Sequence, residues 1–197
     1  MIPERLEKQM AFIIEIGKLK HVLRRTITID RDRNENDAEH SWHLAMMAVL
    51  LADHAGDSGI DLLRVLKMAL IHDIVEIDAG DTYCYDEQAN EDKREREVKA
   101  ADRIFAMLPS DQAVELRSLW EEFEARRTPE ARYAAALDRL QPLLLNYHAG
   151  GKSWRQHGVT RDQVIRRNQP VVDASPVLWR YARLLIDKAL KEGLLQE

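Results

Sequence analysis

The sequence predicts an all-α fold of a single domain, on three observations. Apolar residues recur at helical spacing through almost the whole chain, and helix-start and helix-stop signals punctuate them. The only β-like run, "TITI" at 26–29, is too short to build a sheet. A chain of 197 residues can bury a sizeable core, and 45% hydrophobic with 32% charged residues is the balance of a folded, soluble protein. No repeat or low-complexity linker divides it, so 1–197 reads as one unit. Its core spans about 10–150, with C-terminal helices over about 160–192 packing on it.

The elements follow in order. Leu6, Met10, Ile13, Ile14 and Ile16 give the apolar stripe of a first helix over about 3–23. A polar connector, "RRTITIDRDRNEND", comes next. Asn36 or Asp37 can cap a second helix that runs to about Ala55, where "GDSG" stops it. A third helix starts near Asp61 and ends at Gly80, a natural C-terminal glycine. The loop "DTYCYD" leads to a long charged helix over about 87–108, closed by Pro109, and Ser110 caps a helix to about Arg126. Thr128 before Pro129 opens a helix that ends at Gly150-Gly151. Thr160 with Gln163 forms a capping box, and Ser175-Pro176 opens the last helix.

Composition removes several function classes. With 29 basic and 34 acidic side chains, a net charge of −5 and no strongly basic stretch, a nucleic-acid platform is not expected. A small anionic substrate stays open, because a metal or two arginines can hold one locally. The longest apolar run, "LAMMAVLLA" at 44–52, is about half a bilayer crossing, so no membrane span is expected. The N-terminal "MIPERLEKQM" lacks a signal-peptide layout, and the lone Cys84 cannot form an internal disulfide. Both fit a cytoplasmic protein.

The chemistry gathers at "LIHDIVEIDAGD", residues 70–81. On a helix, His72, Asp73 and Glu76 share one face, at the end of an apolar stripe containing Val65, Leu66 and Ala69. Burying a bare carboxylate costs several kcal/mol or more unless a cation or hydrogen bond compensates it. A divalent metal would compensate His72 and Asp73 together; the alternative is that His72 bonds a neighbour and the acids face solvent. The second helix opens with "NDAEHSWHLAMMA", placing His40 in its first turn and His43 one turn later. In "ARYAAALDRLQPLLLNY", Asp138 interrupts an apolar helix. Pro142, four residues on, removes the N–H that would bond the Asp138 carbonyl, so a kink is expected. A His on one helix, a His-Asp pair on the next and an Asp on a third could give one ion two nitrogens and two oxygens. That set suits Mn, Co, Fe or Zn better than Mg.

"EHS", then "HD" with Glu three residues on, then Asp within "ALDRL" resemble the HD-domain phosphohydrolases over about residues 10–150. Within that superfamily, "ENDAEHSW", "HDIVEIDAGD" and the chain length look most like the small bacterial 5′-deoxynucleotidases and their human-type relatives. The resemblance implies a single-domain HD helical bundle and a phosphohydrolase that removes the 5′-phosphate from (deoxy)nucleoside monophosphates. It implies one divalent ion on His40, His72, Asp73 and Asp138, Glu76 as catalytic acid/base, and Asp81 as a contact to the sugar. It also implies a phosphate contact from Arg25, or Arg24 in its place, and a homodimer. Dinuclear relatives need further histidines between the HD pair and the last Asp, and residues 74–137 hold none. Alarmone hydrolases carry HD-x-x-Glu-Asp, where this chain has Glu76-Ile77.

This chain departs from the pattern in two places. "GDTYCYD" stands where relatives often carry Gly-Asp-Ile/Leu-Pro, and Thr26 stands where the bacterial enzymes place a Trp associated with rejecting the 2′-hydroxyl. Weak deoxy selectivity is therefore expected. Tyr83 and Tyr85 either stack on a base or lie at the surface, and His43 is a packed or supporting histidine. In "NEDKREREVKAADR", a solvated helix face, Lys93 or Arg94 could still point at the site. "GGKS" at 150–153 imitates the end of a phosphate loop, but Asn146 and a preceding helix break that pattern. The competing functions are hydrolysis of another nucleotide (an alarmone or a nucleoside triphosphate) and a non-catalytic nucleotide-sensing HD module. Glu76 beside a complete ligand set argues against the sensor.

Overall fold

The computed structural model describes residues 2–29 and 33–197. The chain opens with α1 (Glu4–Ile16), followed by a 3-10 turn over Gly17–His21 that shortens the expected first helix. Phe12 is buried on α1, whereas Leu6, Met10, Ile13 and Ile14, the stripe that predicts the helix, stay exposed. The connector corrects the expectation of no sheet. It forms an antiparallel pair, β1 (Leu23–Ile27) and β2 (Asn34–Asn36), with Leu23 opposite Asn36 and Ile27 opposite Asn34. The strand starts three residues ahead of "TITI", and the short return strand runs directly into the next helix cap. Residues 30–32 of the connector lie outside the described residues.

Asn36 caps α2 (Asp37–Leu50) in a full capping box: its side chain accepts from the Glu39 N–H, and the Glu39 carboxylate accepts from the Asn36 N–H. Asp61 caps α3 (Leu62–Ile71) by accepting from the Arg64 N–H at 3.1 Å. This helix does not reach Gly80. Beyond Ile71 the bonds tighten to the third residue back, from Ile74 N to Ile71 O (3.1 Å) and from Glu76 N to Asp73 O (2.9 Å). A helix resumes only as α4 (Glu76–Ala79), which Gly80 ends at φ +74°.

The expected long charged helix is two, α5 (Glu87–Asn90), capped by Asp86, and α6 (Lys93–Phe105). In α7 (Ser110–Ala125), Ser110 is the first helical residue rather than the cap. Thr128 caps α8 (Pro129–His148), which runs through Pro142 without interruption. The rest is α9 (Lys152–Gln156), α10 (Arg161–Asn168) with its Thr160–Gln163 capping box, α11 (Val171–Ala174), and α12 (Pro176–Lys191) capped by Ser175.

α8 is the axis of the core. Its Ala134, Ala135, Ala136, Leu137 and Leu140 are essentially without exposure, and the alanines let neighbouring backbones come close. α2, α3 and α7 pack on it, and α10, α11 and α12 cover it further along. The expected all-α single domain is therefore what the chain forms, with one small sheet at its edge. Because α2, α3 and α8 pack mutually, the first turn of α2, the end of α3 and the middle of α8 meet at one place.

Candidate active site

That junction holds His40, the His72–Asp73 turn and Asp138, all buried. Each histidine is oriented through Nδ1. In His40, Nδ1 lies 3.0 Å from Gln141 Oε1; in His72, Nδ1 lies 2.9 Å from the Ala69 carbonyl. Both acceptors require a proton on Nδ1, so both Nε2 lone pairs are left for something else. They point to one spot. His40 Nε2 is 3.1 Å from Asp138 Oδ1 and 3.8 Å from Asp73 Oδ2, and His72 Nε2 is 3.1 Å from Asp73 Oδ2 and 3.8 Å from Asp138 Oδ1. One donor atom each from His40, His72 and Asp73 lies within 4.8 Å of the others.

His72 Nε2 is buried without a hydrogen-bond partner. A buried imidazole nitrogen in that condition, facing carboxylate oxygens, fits a divalent cation, and two nitrogens with two oxygens suit a first-row transition metal. The electrostatics agree in direction. Burial alone would depress His72, but Asp73 and Asp138 overrule it and raise the imidazole to about 9. Burial opposes ionisation of Asp73 and Asp138, yet the adjoining histidines, with Arg24 at Asp73, hold both carboxyls well below their usual range.

A second group adjoins the first. Asp37, Asp73 and Glu76 also bring one oxygen each within 4.8 Å of the others, but here the cation is supplied by the chain. Arg24 Nη1 donates to Asp73 Oδ2 at 2.7 Å and to Asp37 Oδ1 at 3.0 Å. Glu76 Oε2 has no partner, and burial followed by the charges of Asp73 and Asp37 pushes its carboxyl well above the usual range. Asp81 is raised too, by burial and Asp73 against the pull of Arg24.

Sequence reasoning missed three residues that hold this arrangement in place. Gln141, fully buried, takes the His40 N–H and donates from Nε2 to Glu35 Oε1 at 2.6 Å. The same nitrogen lies 3.2 Å from His43 Nδ1, which gives His43 the supporting position expected for it. Glu35 and Asp37 are both pushed up to about 7, chiefly by burial. The signals were present: Gln141 lies one turn past Asp138, and Glu35 and Asp37 flank the cap in "ENDAEH".

The site opens into a cleft lined by Arg25, Thr26, Asp81, Tyr83, Tyr85 and Lys93, among others. Arg24 also lines it, but its guanidinium is taken by two carboxylates, whereas Arg25 is exposed. Lys93 pairs with Glu97 at 3.3 Å, while Arg94 turns away to stack on Trp120. Tyr83 and Tyr85 meet edge to face with ring centres 5.3 Å apart, and Tyr83 also touches His157.

Known proteins resemble this chain closely. A family model described as HD domain matches residues 16–179. The chain is 33% identical over 137 residues to 5′-deoxynucleotidase HDDC2 of Homo sapiens, covering 68% of this chain and 65% of that protein. It is 30% identical over 148 residues to 5′-deoxynucleotidase HDDC2 of Dictyostelium discoideum, covering 72% of this chain and 77% of that protein. The chain thus spans just under two thirds of the human relative. The crystal structure of a protein described as a predicted metal-dependent phosphohydrolase, from Magnetospirillum magnetotacticum MS-1, aligns with a TM-score of 0.95 at 54% identity, covering 100% of both chains.

Proposed function

Because this chain belongs to the HD-domain family, we propose that it is a metal-dependent phosphomonoesterase that removes the 5′-phosphate from nucleoside and deoxynucleoside 5′-monophosphates. The observation that carries the reading is the convergence of His40 Nε2, His72 Nε2, Asp73 Oδ2 and Asp138 Oδ1 beside the buried carboxyl of Glu76. Those four residues would hold one divalent ion, with Mn, Co, Fe or Zn suited better than Mg. When bound it supplies a Lewis acid for the phosphate and makes water a nucleophile near neutral pH. Arg24, lying between Asp37 and Asp73, supplies the positive charge that a second ion would otherwise bring, which supports one metal rather than two.

Glu76 takes the proton of the attacking water and hands it to the leaving 5′-oxygen. Its carboxyl, pushed up by burial and by Asp73 and Asp37, holds a proton more readily than an ordinary glutamate, which suits the second half of that task. Arg25 contacts the phosphate from the β1 side, Asp81 accepts from the sugar 3′-hydroxyl, and Tyr83 with Tyr85 offers the base an aromatic wall. The whole of 1–197 acts as one HD unit.

Two further parts of the proposal are a homodimer and a place in the cytoplasm. On α1, Leu6, Met10, Ile13 and Ile14 form an exposed apolar stripe, and Trp42, Met46, Val49 and Leu50 repeat its spacing on α2. Among the described residues no helix is long and apolar enough to cross a membrane. A phosphate-release assay over a nucleotide panel with Mn, Co and Mg tests the function. Release from 5′-monophosphates is expected. Release only from a triphosphate or an alarmone would replace the substrate class, and no release from a metal-loaded protein would make it a sensor.

A further inference from the structure

The positive charge in the cleft is unevenly matched. Arg24 is neutralised by Asp37 and Asp73, and Lys93 by Glu97. Arg126, Arg139 and Arg167, which line the same cleft, are not. Among the described residues, the nearest approach of a carboxylate to any of the three is Arg167 Nη2 to Asp138 Oδ2, at 3.8 Å, and Asp138 already belongs to the proposed metal. The Nε atoms of Arg126 and Arg139 are buried with no hydrogen-bond partner. Arg139 is only 8% exposed, so its side chain is largely withdrawn from bulk solvent.

The backbone adds an independent observation. Arg126, the C-cap of α7, has φ +52° and ψ +36°, and among the described residues it is the only non-glycine residue with positive φ. The left-handed region is disfavoured for a side chain of this size, and glycine is the usual choice at a helix end. An arginine held in that conformation lines the cleft with an unpartnered nitrogen.

We propose that Arg167, backed by Arg139 and Arg126, forms an anion-binding wall on the Asp138 side of the cleft that grips the phosphoryl group of the substrate. Arg167 reaches Asp138 Oδ2 while Asp138 Oδ1 faces the two histidines. A phosphate bound to an ion that those residues would hold would therefore come within reach of the guanidinium. The planar fork of arginine matches two phosphate oxygens, and the guanidiniums of Arg139 and Arg126 behind it deepen the positive field. The wall is built by the C-terminal end of α7, by α8 and by α10, so the last of these helices gains a binding role outside the His…His-Asp…Asp segments. The identity of the anion rests on the phosphomonoesterase reading; the presence of an anion wall does not.

The test is calorimetric binding of inorganic phosphate to the Mn-loaded protein, with Mn content measured in every sample. Arg167 is partly exposed on α10, so Arg167→Ala is expected to fold. It should keep its Mn and bind phosphate at least tenfold more weakly, and Arg167→Lys should recover part of the loss. With nucleotide as substrate the same variant should raise KM. Unchanged phosphate affinity in Arg167→Ala, or a loss that follows loss of Mn, overturns the proposal. So does failure of the unsubstituted protein to bind phosphate. If phosphate binding depends on Arg167 but no nucleoside monophosphate is hydrolysed, the wall stands and the phosphomonoesterase reading fails. If nucleotides are hydrolysed and phosphate binding ignores Arg167, the reverse holds.

Discussion

Gln141 Oε1 lies 3.0 Å from His40 Nδ1, and both side chains are fully buried. The amide fixes the His40 tautomer with its proton on Nδ1, so Nε2 presents a lone pair to Asp138 and Asp73. Partners behind a metal-binding histidine typically contribute about 10–100-fold in metal affinity. Gln141→Leu keeps the volume but removes the acceptor, and it strands Glu35 without its donor. Metal affinity, measured by competition with a chelating dye, is expected to fall within that range. Undiminished affinity would mean that the tautomer is set elsewhere.

Asp138→Ala should abolish stoichiometric metal binding and hydrolysis together, with helical content by circular dichroism largely retained. The side chain makes no helix-capping bond, and α8 is held by its alanine and leucine face. A variant that kept a full equivalent of metal would remove Asp138 from the ligand set.

Glu76→Gln separates binding from chemistry. The amide is isosteric and cannot shuttle the proton, so metal should be retained while kcat falls by about 10²–10⁴-fold, the usual scale for a general acid–base group. Near-normal turnover would exclude Glu76 from proton transfer.

The metal-free protein should lose stability as pH rises from about 5 to 9. Glu35 and Asp37, each raised to about 7, and His72, raised to about 9, all hold protons more tightly folded than unfolded. Folding takes up protons wherever that is true, so stability falls with rising pH. The carboxyl contribution is lost between roughly pH 4 and 7, and the imidazole contribution between about 6.5 and 9. His40, lowered by burial and Arg24, and His43, lowered by burial, work in the opposite sense below their ordinary pKa, while Glu76 and Asp81, both raised, add to the trend. Asp73 and Asp138 are depressed and act only at acid pH. Loading with Mn should reverse the trend over the imidazole range, because the ion displaces the His72 proton. Melting temperatures of stripped and loaded protein across this range decide it; a stripped protein that grows more stable towards pH 9 would contradict the assignment.

Selectivity for the sugar should be weak. Thr26, small and buried, lines the cleft where the bacterial enzymes resembled in sequence carry a bulky Trp. A contact from Asp81 to the 3′-hydroxyl is common to both sugars and cannot discriminate. The deoxy preference in kcat/KM is expected to stay below about 100-fold, equivalent to less than roughly 2.7 kcal/mol of differential transition-state binding. Paired kinetics on dAMP and AMP measure it, and a larger preference would point to Tyr83 as the replacement wall.

What the sequence made legible was the conflict between polar residues and an apolar helical period. That conflict marks His40, His72, Asp73, Glu76 and Asp138, and the packing of α2, α3 and α8 brings these residues together. The break of the third helix at His72 was hidden, because the apolar period continues through "IHDIVEI" while the backbone shifts to three-residue bonding. The exposed stripe on α1 was equally hidden, since periodicity finds an apolar face without saying what covers it. Arg24 shows the deeper limit. Two adjacent arginines differ only in which side of β1 they leave, and one is locked into carboxylates 13 and 49 residues away along the chain. Gln141 and Glu35, 106 residues apart, meet only through tertiary packing that no local pattern records.

His40 and Asp138 are separated by 98 residues of chain, and an ion held between them would act as a removable cross-link across half the molecule. Closing a loop in the unfolded ensemble costs entropy that grows only slowly, as about (3/2)RT ln n. The tie is therefore worth almost as much as a still longer one. Unlike a disulfide, it is reversible and set by mass action: each tenfold excess of free ion over its dissociation constant adds about 1.4 kcal/mol, provided the unfolded chain does not bind it. The endurance of the fold would thus follow the concentration of one trace metal, giving a protein whose lifetime in a cell reports on that supply.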